Sequence, residues 1–306
     1  MQMSFSSEVK EELLAHTSGG RHCQIAELTA LLLLSGARLE PVIRVQTENF
    51  RVAKKISTLI YRLFHADPEI RVRTYHGTRA ASVYELAAGT PELDEQIRKA
   101  CKLMDLSRVN QLIIQKDCCK RAFLRGAFLV SGSVNSPEKA YHFEISCNYP
   151  ELAEEIQGLF RFFELEAKVV KRKKSYVVYL KEGTMIVDAL NVIEAHRALM
   201  NMESVRVVKE VRNHTNRSVN CEVANLNKTI SAARRQLEDI QYIYEYKGFS
   251  CLNDALRQVA ELRMEEPDLS LKELGERLDP PVSKSGVNHR LRKLSEVAQE
   301  LRDGRR

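Results

Sequence analysis

Between positions 284 and 293 the chain carries Lys284, Ser285, Asn288, His289, Arg290, Arg292 and Lys293, and no carboxylate. These side chains are hydrogen-bond donors and cations. Asn and Arg can each make paired hydrogen bonds to the edge of one base, and Lys, Ser and His reach phosphate oxygens. Val287, Leu291 and Leu294 recur among them at helical spacing, which predicts one helix with an apolar face and an opposite polar, basic face. Ser283 stands where an N-cap would accept the first free amides. Such a face is what a recognition helix presents to a DNA major groove. It is also what a solvated surface helix carries, and residue types alone leave both readings open.

The helix needs a partner to hold it. Ser270 followed by Glu273 is a capping box, and Leu271, Leu274 and Leu278 supply the apolar stripe of a short preceding helix. Asp279-Pro280-Pro281 must end that helix, because proline has no amide hydrogen and restricts the residue before it. Gly275 leaves room for the second helix to come close. Upstream, Leu252, Leu256 and Val259 form a third apolar face, with Asn253 as a further cap near its start. The pattern predicts an all-α domain over residues 224–306, with a helix-turn-helix at about 270–303.

The first two-thirds of the chain repeats itself. LTALLLLSG (28–36) and LRGAFLVSG (124–132) stand 96 positions apart, and each ends in Ser-Gly: Ser35-Gly36 and Ser131-Gly132. Both glycines are expected as left-handed helix stops. Alternating segments follow, with Ile43, Val45 and Thr47 in one copy and Phe143 and Ile145 in the other. A second helix comes next, in which Val52, Ile56, Leu59 and Leu63 match Leu152, Ile156, Leu159 and Phe163. A hairpin follows in each copy, aligning Tyr84 with Tyr179, and then a closing helix. The expected unit is αββαββα, occurring twice (about 1–105 and 106–208) in one α+β domain over 1–208, its copies related by a pseudo-two-fold axis.

Two further groups could meet a polyanion. Lys171, Arg172, Lys173 and Lys174 fall at the expected tip of the second hairpin, either as phosphate contacts or as a solvated turn. The first hairpin answers with Arg71, Arg73, His76 and Arg79. The Asn-rich residues 209–223 are expected as a polar connector. The segment beyond opens a helix with Leu226, Ile230, Ala233, Leu237 and Ile240 on one face. That helix either supports the C-terminal domain or adds a second DNA contact through Asn225, Asn227, Lys228 and Arg234.

A net charge of +6 suits an anionic partner without requiring one. No apolar run approaches the roughly 20 residues a bilayer span needs, and the N-terminal residues do not read as a signal peptide. Seven cysteines, two of them adjacent (Cys118 and Cys119) and none in a Cys-x-x-Cys pair, are expected as reduced cytoplasmic thiols. His16 and His22 near Cys23 match no metal spacing. No catalytic constellation, metal site or cofactor motif is read from the chain, and no membrane partner.

The paired helices ending in Ser-Gly resemble the LAGLIDADG helices of homing endonucleases, which pack at a pseudo-symmetry axis through small residues, here Ala30 and Gly126. In active members an acidic residue before the terminal glycine binds the divalent metal that cleaves the phosphodiester, a task for hard, charged oxygens. Here those positions are Ser35 and Ser131, and Glu27 and Glu40 flank the first helix without replacing them. A degenerate LAGLIDADG-like domain joined to a helix-turn-helix resembles the WhiA family, on MSFSSEVKEEL, CCKRAFLRGAFLVSGSVNSPE, VNCEVANLNKTISAARRQLEDI, LKELGERL and SKSGVNHRLRKL. The resemblance implies a bacterial transcription factor acting on double-stranded DNA at promoters linked to cell division, chromosome segregation and sporulation. It would be cytoplasmic, nucleoid-associated and without nuclease activity, with other transcription factors as further partners. Two other classes stay open: a metal-dependent endonuclease with displaced carboxylates, and a protein- or ligand-binding module with a DNA-binding tail.

Overall fold

The protein is described by a computed structural model covering residues 3–39, 41–75 and 81–304. Glu40, His76 and Arg79 lie outside the described residues. The chain divides into two compact units, Met1–Glu210 and Val211–Arg306.

The first unit begins with α1 (Phe5–Ala15) and then holds two copies of one motif. The first copy is α2 (Arg21–Leu34), β1 (Arg44–Thr47), α3 (Phe50–Phe64), β2 (Glu69–Tyr75), β3 (Ala81–Ala87) and α4 (Pro91–Cys101). The second is α5 (Asp117–Ser131), β4 (Gly132–Val134), β5 (Phe143–Cys147), α6 (Pro150–Phe162), β6 (Lys168–Arg172), β7 (Ser175–Leu180) and α7 (Gly183–Val192). All strand pairs are antiparallel, in the orders β1-β3-β2 and β4-β5-β7-β6. The architecture is the expected α+β repeat. Among the described residues only the second copy has the full αββαββα order, because the first strand of the first copy is represented by one bridge, Arg38 to Arg44.

The two Ser-Gly stops explain that difference. Gly36 takes φ of 64°, the left-handed turn expected of it, and the chain swings out of line before pairing. Gly132 does not: at φ −79° and ψ 151° it is extended and passes straight into β4. It is small for another reason, since a Cβ there would lie 2.3 Å from the Phe128 ring.

Residues 28–34 of α2 are buried all round, as are residues 122–129 of α5, so neither helix is amphipathic in the ordinary sense. They pack against each other where Gly126 meets Ala30, as expected of small residues at a close contact. A Cβ on Gly126 would fall 2.7 Å from the Glu27 carbonyl oxygen. Their outer faces meet the sheets, for example through Phe128 stacked on Phe143 at 5.0 Å.

Register corrects one pairing between the copies. Thr47 opposes Tyr84, and Cys147 opposes Tyr176, so the counterpart of Tyr84 is Tyr176 rather than Tyr179. YVVY carries a tyrosine at each end, and the buried pairs Glu85-Leu86 and Val177-Val178 select the first.

The expected connector at 209–223 is helical. Helix α8 runs unbroken from His196 to Lys247. Its asparagines are poor helix formers, each costing less than about 1 kcal/mol, but no glycine or proline interrupts it. The second unit continues through a short 3-10 turn (Phe249–Cys251) into α9 (Asp254–Glu265), α10 (Leu271–Arg277) and α11 (Lys284–Asp303). No described helix is long and apolar enough to cross a membrane.

Candidate nucleic-acid interface

The helix-turn-helix is built as its sequence prescribes. Ser270 Oγ accepts from the Glu273 amide at 3.3 Å, and Glu273 Oε2 accepts from the Ser270 amide at 2.8 Å, closing the capping box of α10. Asn253 caps α9 through the Leu256 amide at 2.9 Å, and Ser283 caps α11 through the Gly286 amide at 3.2 Å. Val287, Leu291, Leu294 and Ala298 are buried against Leu274 and Leu278 of the α10 region, Leu256 and Val259 of α9, and Ile240 and Ile243 near the end of α8.

That packing leaves Ser283, Lys284, Ser285, Asn288, His289, Arg292 and Lys293 exposed together at the start of α11. Arg290 is the exception. It is half-buried and directs Nη1 to the Ala255 carbonyl at 3.5 Å, so it braces α11 on α9 instead of joining the open face. Glu296, one turn on, lies 3.6 Å from Arg292 Nε.

Two supports were not singled out from the sequence. Arg263 is buried, with Nη1 donating to the carbonyls of Leu269 (2.6 Å) and Pro267 (3.3 Å) and Nη2 to Gln236 Oε1 (3.1 Å). Burial pushes its pKa down from the usual guanidinium value. Its spacing of four from Val259 put it on the apolar face, which was the available signal. Arg302 lies 2.8 Å from Asp239 and over the Tyr242 ring, joining α11 to α8.

In the first unit the basic hairpin lies where expected. Arg172 pairs with Ser175 across a two-residue turn of Lys173 and Lys174, and Lys173 takes a left-handed φ of 56°. Arg172 Nη1 lies 3.5 Å from Glu144 and Lys171 lies over the Tyr176 ring, while among the described residues no carboxylate pairs with Lys173 or Lys174. Burial would raise the pKa of Glu144, but hydrogen bonds from His142 and Ser133 outweigh it and hold the carboxyl below its usual range. The first hairpin differs: Arg71 is paired with Glu69 and Arg73 with Glu85.

Asn225, Asn227, Lys228 and Arg234 are all exposed on α8, with Arg234 Nε held by Glu238 at 2.9 Å. Of the apolar face drawn for that segment, Ile240 is buried and Leu237 half-buried, while Leu226 and Ile230 are exposed. Support for the C-terminal domain therefore comes only from the last part of α8.

Ser35 and Ser131 share one geometry. Ser35 Oγ donates to the Leu31 carbonyl at 2.6 Å and Ser131 Oγ to the Ala127 carbonyl at 3.3 Å, each four residues back on its own helix. Glu27 is fully buried between Lys55 (3.2 Å) and Arg125 (3.3 Å) and is occupied by those cations. Among the described residues, the one group of three or more His, Cys, Asp or Glu side chains placed to share a metal ion lies elsewhere, at His22, Cys23, Cys118 and Cys119. No local metal-ligand spacing marks this set, because its halves stand one full repeat offset, 96 positions, apart. Burial first, and then the neighbouring Cys118 thiol, push the Cys23 thiol up to about 12.

Three family models match nearly end to end: the WhiA N-terminal LAGLIDADG-like domain at residues 21–104, the WhiA LAGLIDADG-like domain at 120–212 and the WhiA C-terminal HTH domain at 215–298. The chain is 45% identical over 312 residues to a protein named "Probable cell division protein WhiA" from Lachnoclostridium phytofermentans, covering 98% of this chain and all of that one. Identity is also 45% to the protein of that name from Alkaliphilus oremlandii, covering 99% of each chain. The crystal structure of full-length DUF199/WhiA from Thermatoga maritima shares the fold at a TM-score of 0.60 and 23% identity, covering 98% of this chain and 99% of that one.

Proposed function

The chain belongs to the WhiA family, and from that premise we propose that it is a DNA-binding transcriptional regulator of cell division. It binds double-stranded DNA at promoters and acts in chromosome segregation and, where the host sporulates, in sporulation. It works in the cytoplasm, associated with the nucleoid, beside other transcription factors. The observation that carries this reading is the open face of α11. Lys284, Ser285, Asn288, His289, Arg292 and Lys293 stand exposed over a stripe that is fully spent on packing. Asn288 and Arg292 read base edges and the flanking Lys and Ser side chains hold phosphates. The basic hairpin at 171–174 is a secondary phosphate contact, and Asn225, Asn227, Lys228 and Arg234 form a third.

Genome-wide mapping of bound sites tests this. The full chain should occupy discrete promoter sites, and the full chain carrying Asn288→Ala and Arg292→Ala should lose them. Unchanged occupancy would remove α11 as the reader.

An endonuclease reading is disfavoured by the serine geometry. Ser35 and Ser131 are neutral, and both hydroxyls turn back onto their own helices. Purified protein should leave its bound duplex intact with magnesium or manganese, and site-specific cleavage would overturn that part of the proposal.

A further inference from the structure

We infer that His22, Cys23, Cys118 and Cys119 form a binding site for one thiophilic divalent cation, Zn²⁺ by preference, which staples the first turns of α2 and α5 together. His22 and Cys23 open α2, and Cys118 and Cys119 open α5. Each pair stands 96 positions from the other, the same offset that relates LTALLLLSG to LRGAFLVSG. The pseudo-two-fold that packs the helices together thus brings two adjacent pairs into one four-ligand cluster.

The ligand atoms all lie within 4.8 Å of one another. His22 Nδ1 is 3.2 Å from both Cys23 Sγ and Cys119 Sγ, and 3.9 Å from Cys118 Sγ. A tetrahedral zinc ion with bonds of about 2.3 Å to sulfur and about 2.0 Å to nitrogen separates its ligand atoms by roughly 3.5–3.8 Å. The nitrogen–sulfur separations of 3.2 and 3.9 Å lie on either side of the tetrahedral value. Three sulfurs and one imidazole nitrogen form a structural zinc set and a poor set for magnesium or calcium.

Two features of the surroundings accommodate such a site. The His22 ring lies over Gly20, where a Cβ would stand 3.0 Å from Nε2, so glycine makes room for the ring that turns Nδ1 toward the sulfurs. Neither α2 nor α5 has a side-chain cap. Zinc held by three thiolates and a neutral imidazole carries one net negative charge, which two helix N-termini stabilise through their free amides and dipoles. Binding releases the thiol protons to solvent as the metal–sulfur bonds form, with no change in oxidation state.

The test uses the full chain purified under reducing, anaerobic conditions. Elemental analysis and native mass spectrometry should find one zinc per chain, and cobalt should give thiolate-to-metal charge-transfer bands with the intense visible bands of a tetrahedral site. Cys118→Ser removes an exposed ligand without touching the core and should abolish the stoichiometric metal and the bands. Cys221→Ser and Cys251→Ser, exposed cysteines elsewhere, should leave both unchanged. Chelation should lower the melting temperature of the parent and not that of Cys118→Ser. Folded, reduced parent protein that binds no cobalt overturns the inference. So does equal loss in the Cys221 or Cys251 variants, or isolation of these thiols as a disulfide that excludes metal.

Discussion

Gly275 and Val282 meet where α10 gives way to α11. The Val282 amide donates to the Gly275 carbonyl at 2.9 Å, and a Cβ on residue 275 would lie 2.1 Å from the Val282 carbonyl oxygen. The obstacle is backbone, so no rotamer change relieves it.

Gly275→Ala should therefore destabilise the second unit. Alanine regains about 1 kcal/mol of helix propensity, but the clash pushes α11 off α10 and overpacking of this kind costs about 1–3 kcal/mol or more. The net expectation is a lower melting transition and weakened DNA binding, although no exposed side chain has changed. A melt by circular dichroism beside a binding titration checks it, and a variant as stable as the parent would show that the turn yields easily.

The open face and the buried stripe of α11 should separate cleanly under mutation. Asn288→Ala or Arg292→Ala should cost about 1–3 kcal/mol of discrimination between specific and scrambled duplexes, with the melt unchanged. Leu291 is almost fully buried. Leu291→Ala should instead open a cavity and cost about 2–5 kcal/mol of stability. Arg290→Ala should fall between these, because its guanidinium reaches Ala255 rather than the open face. Binding curves for Asn288→Ala and Arg292→Ala that match the parent on both duplexes would reject the assignment.

Much of this was legible in the sequence because it depended on local rules. Caps at Ser270, Ser283 and Asn253, prolines after α10 and apolar spacing on α11 are contacts between near neighbours. The paired helices were legible because their apolar segments recur in order. What stayed hidden was set by distant contacts. Cys23 and Cys119 meet only after the two repeats pack; their offset of 96 is that of the repeat itself, and no local metal-ligand spacing spans it. Arg290 and Arg292 look alike in sequence, and only the position of α9 separates the brace from the open side chain. The connector was misread because asparagine-rich composition suggests a turn, while the absence of any breaker was the stronger signal.

The hairpin at 171–174 should contribute by charge alone. Lys173 alone of the two turn residues holds a positive φ, which glycine adopts without strain, so replacing the pair by Gly-Asn should keep the hairpin while removing two cations. If these lysines touch phosphates, affinity should fall by similar factors on specific and non-specific DNA. The slope of log affinity against log salt should also become shallower by roughly one unit per lost contact. A variant with the parent's affinity and slope at low salt would leave the turn as solvated surface.

His16 supplies the pH prediction. It sits 3.2 Å from Glu194, which also receives Arg125, and its own carbonyl accepts from Lys55 Nζ. Burial, and next the Arg125 charge, pull its pKa below the ordinary histidine value of 6.5, with Lys55 adding to that, while Glu194 and Glu27 act in the opposite sense without overcoming them. The folded state thus binds this proton less readily than the unfolded chain. The resulting stability is fully present above about pH 6.5 and is lost as the pH falls through the lower folded value. Between pH 7.5 and pH 5 the first unit should weaken, and His16→Asn, which cannot titrate, should show a smaller loss over the same interval. The NMR titration of the ring resonance missing in that variant should have its midpoint below 6.5. A midpoint above 6.5 would mean that the Glu194 carboxylate, and not burial and Arg125, governs the site.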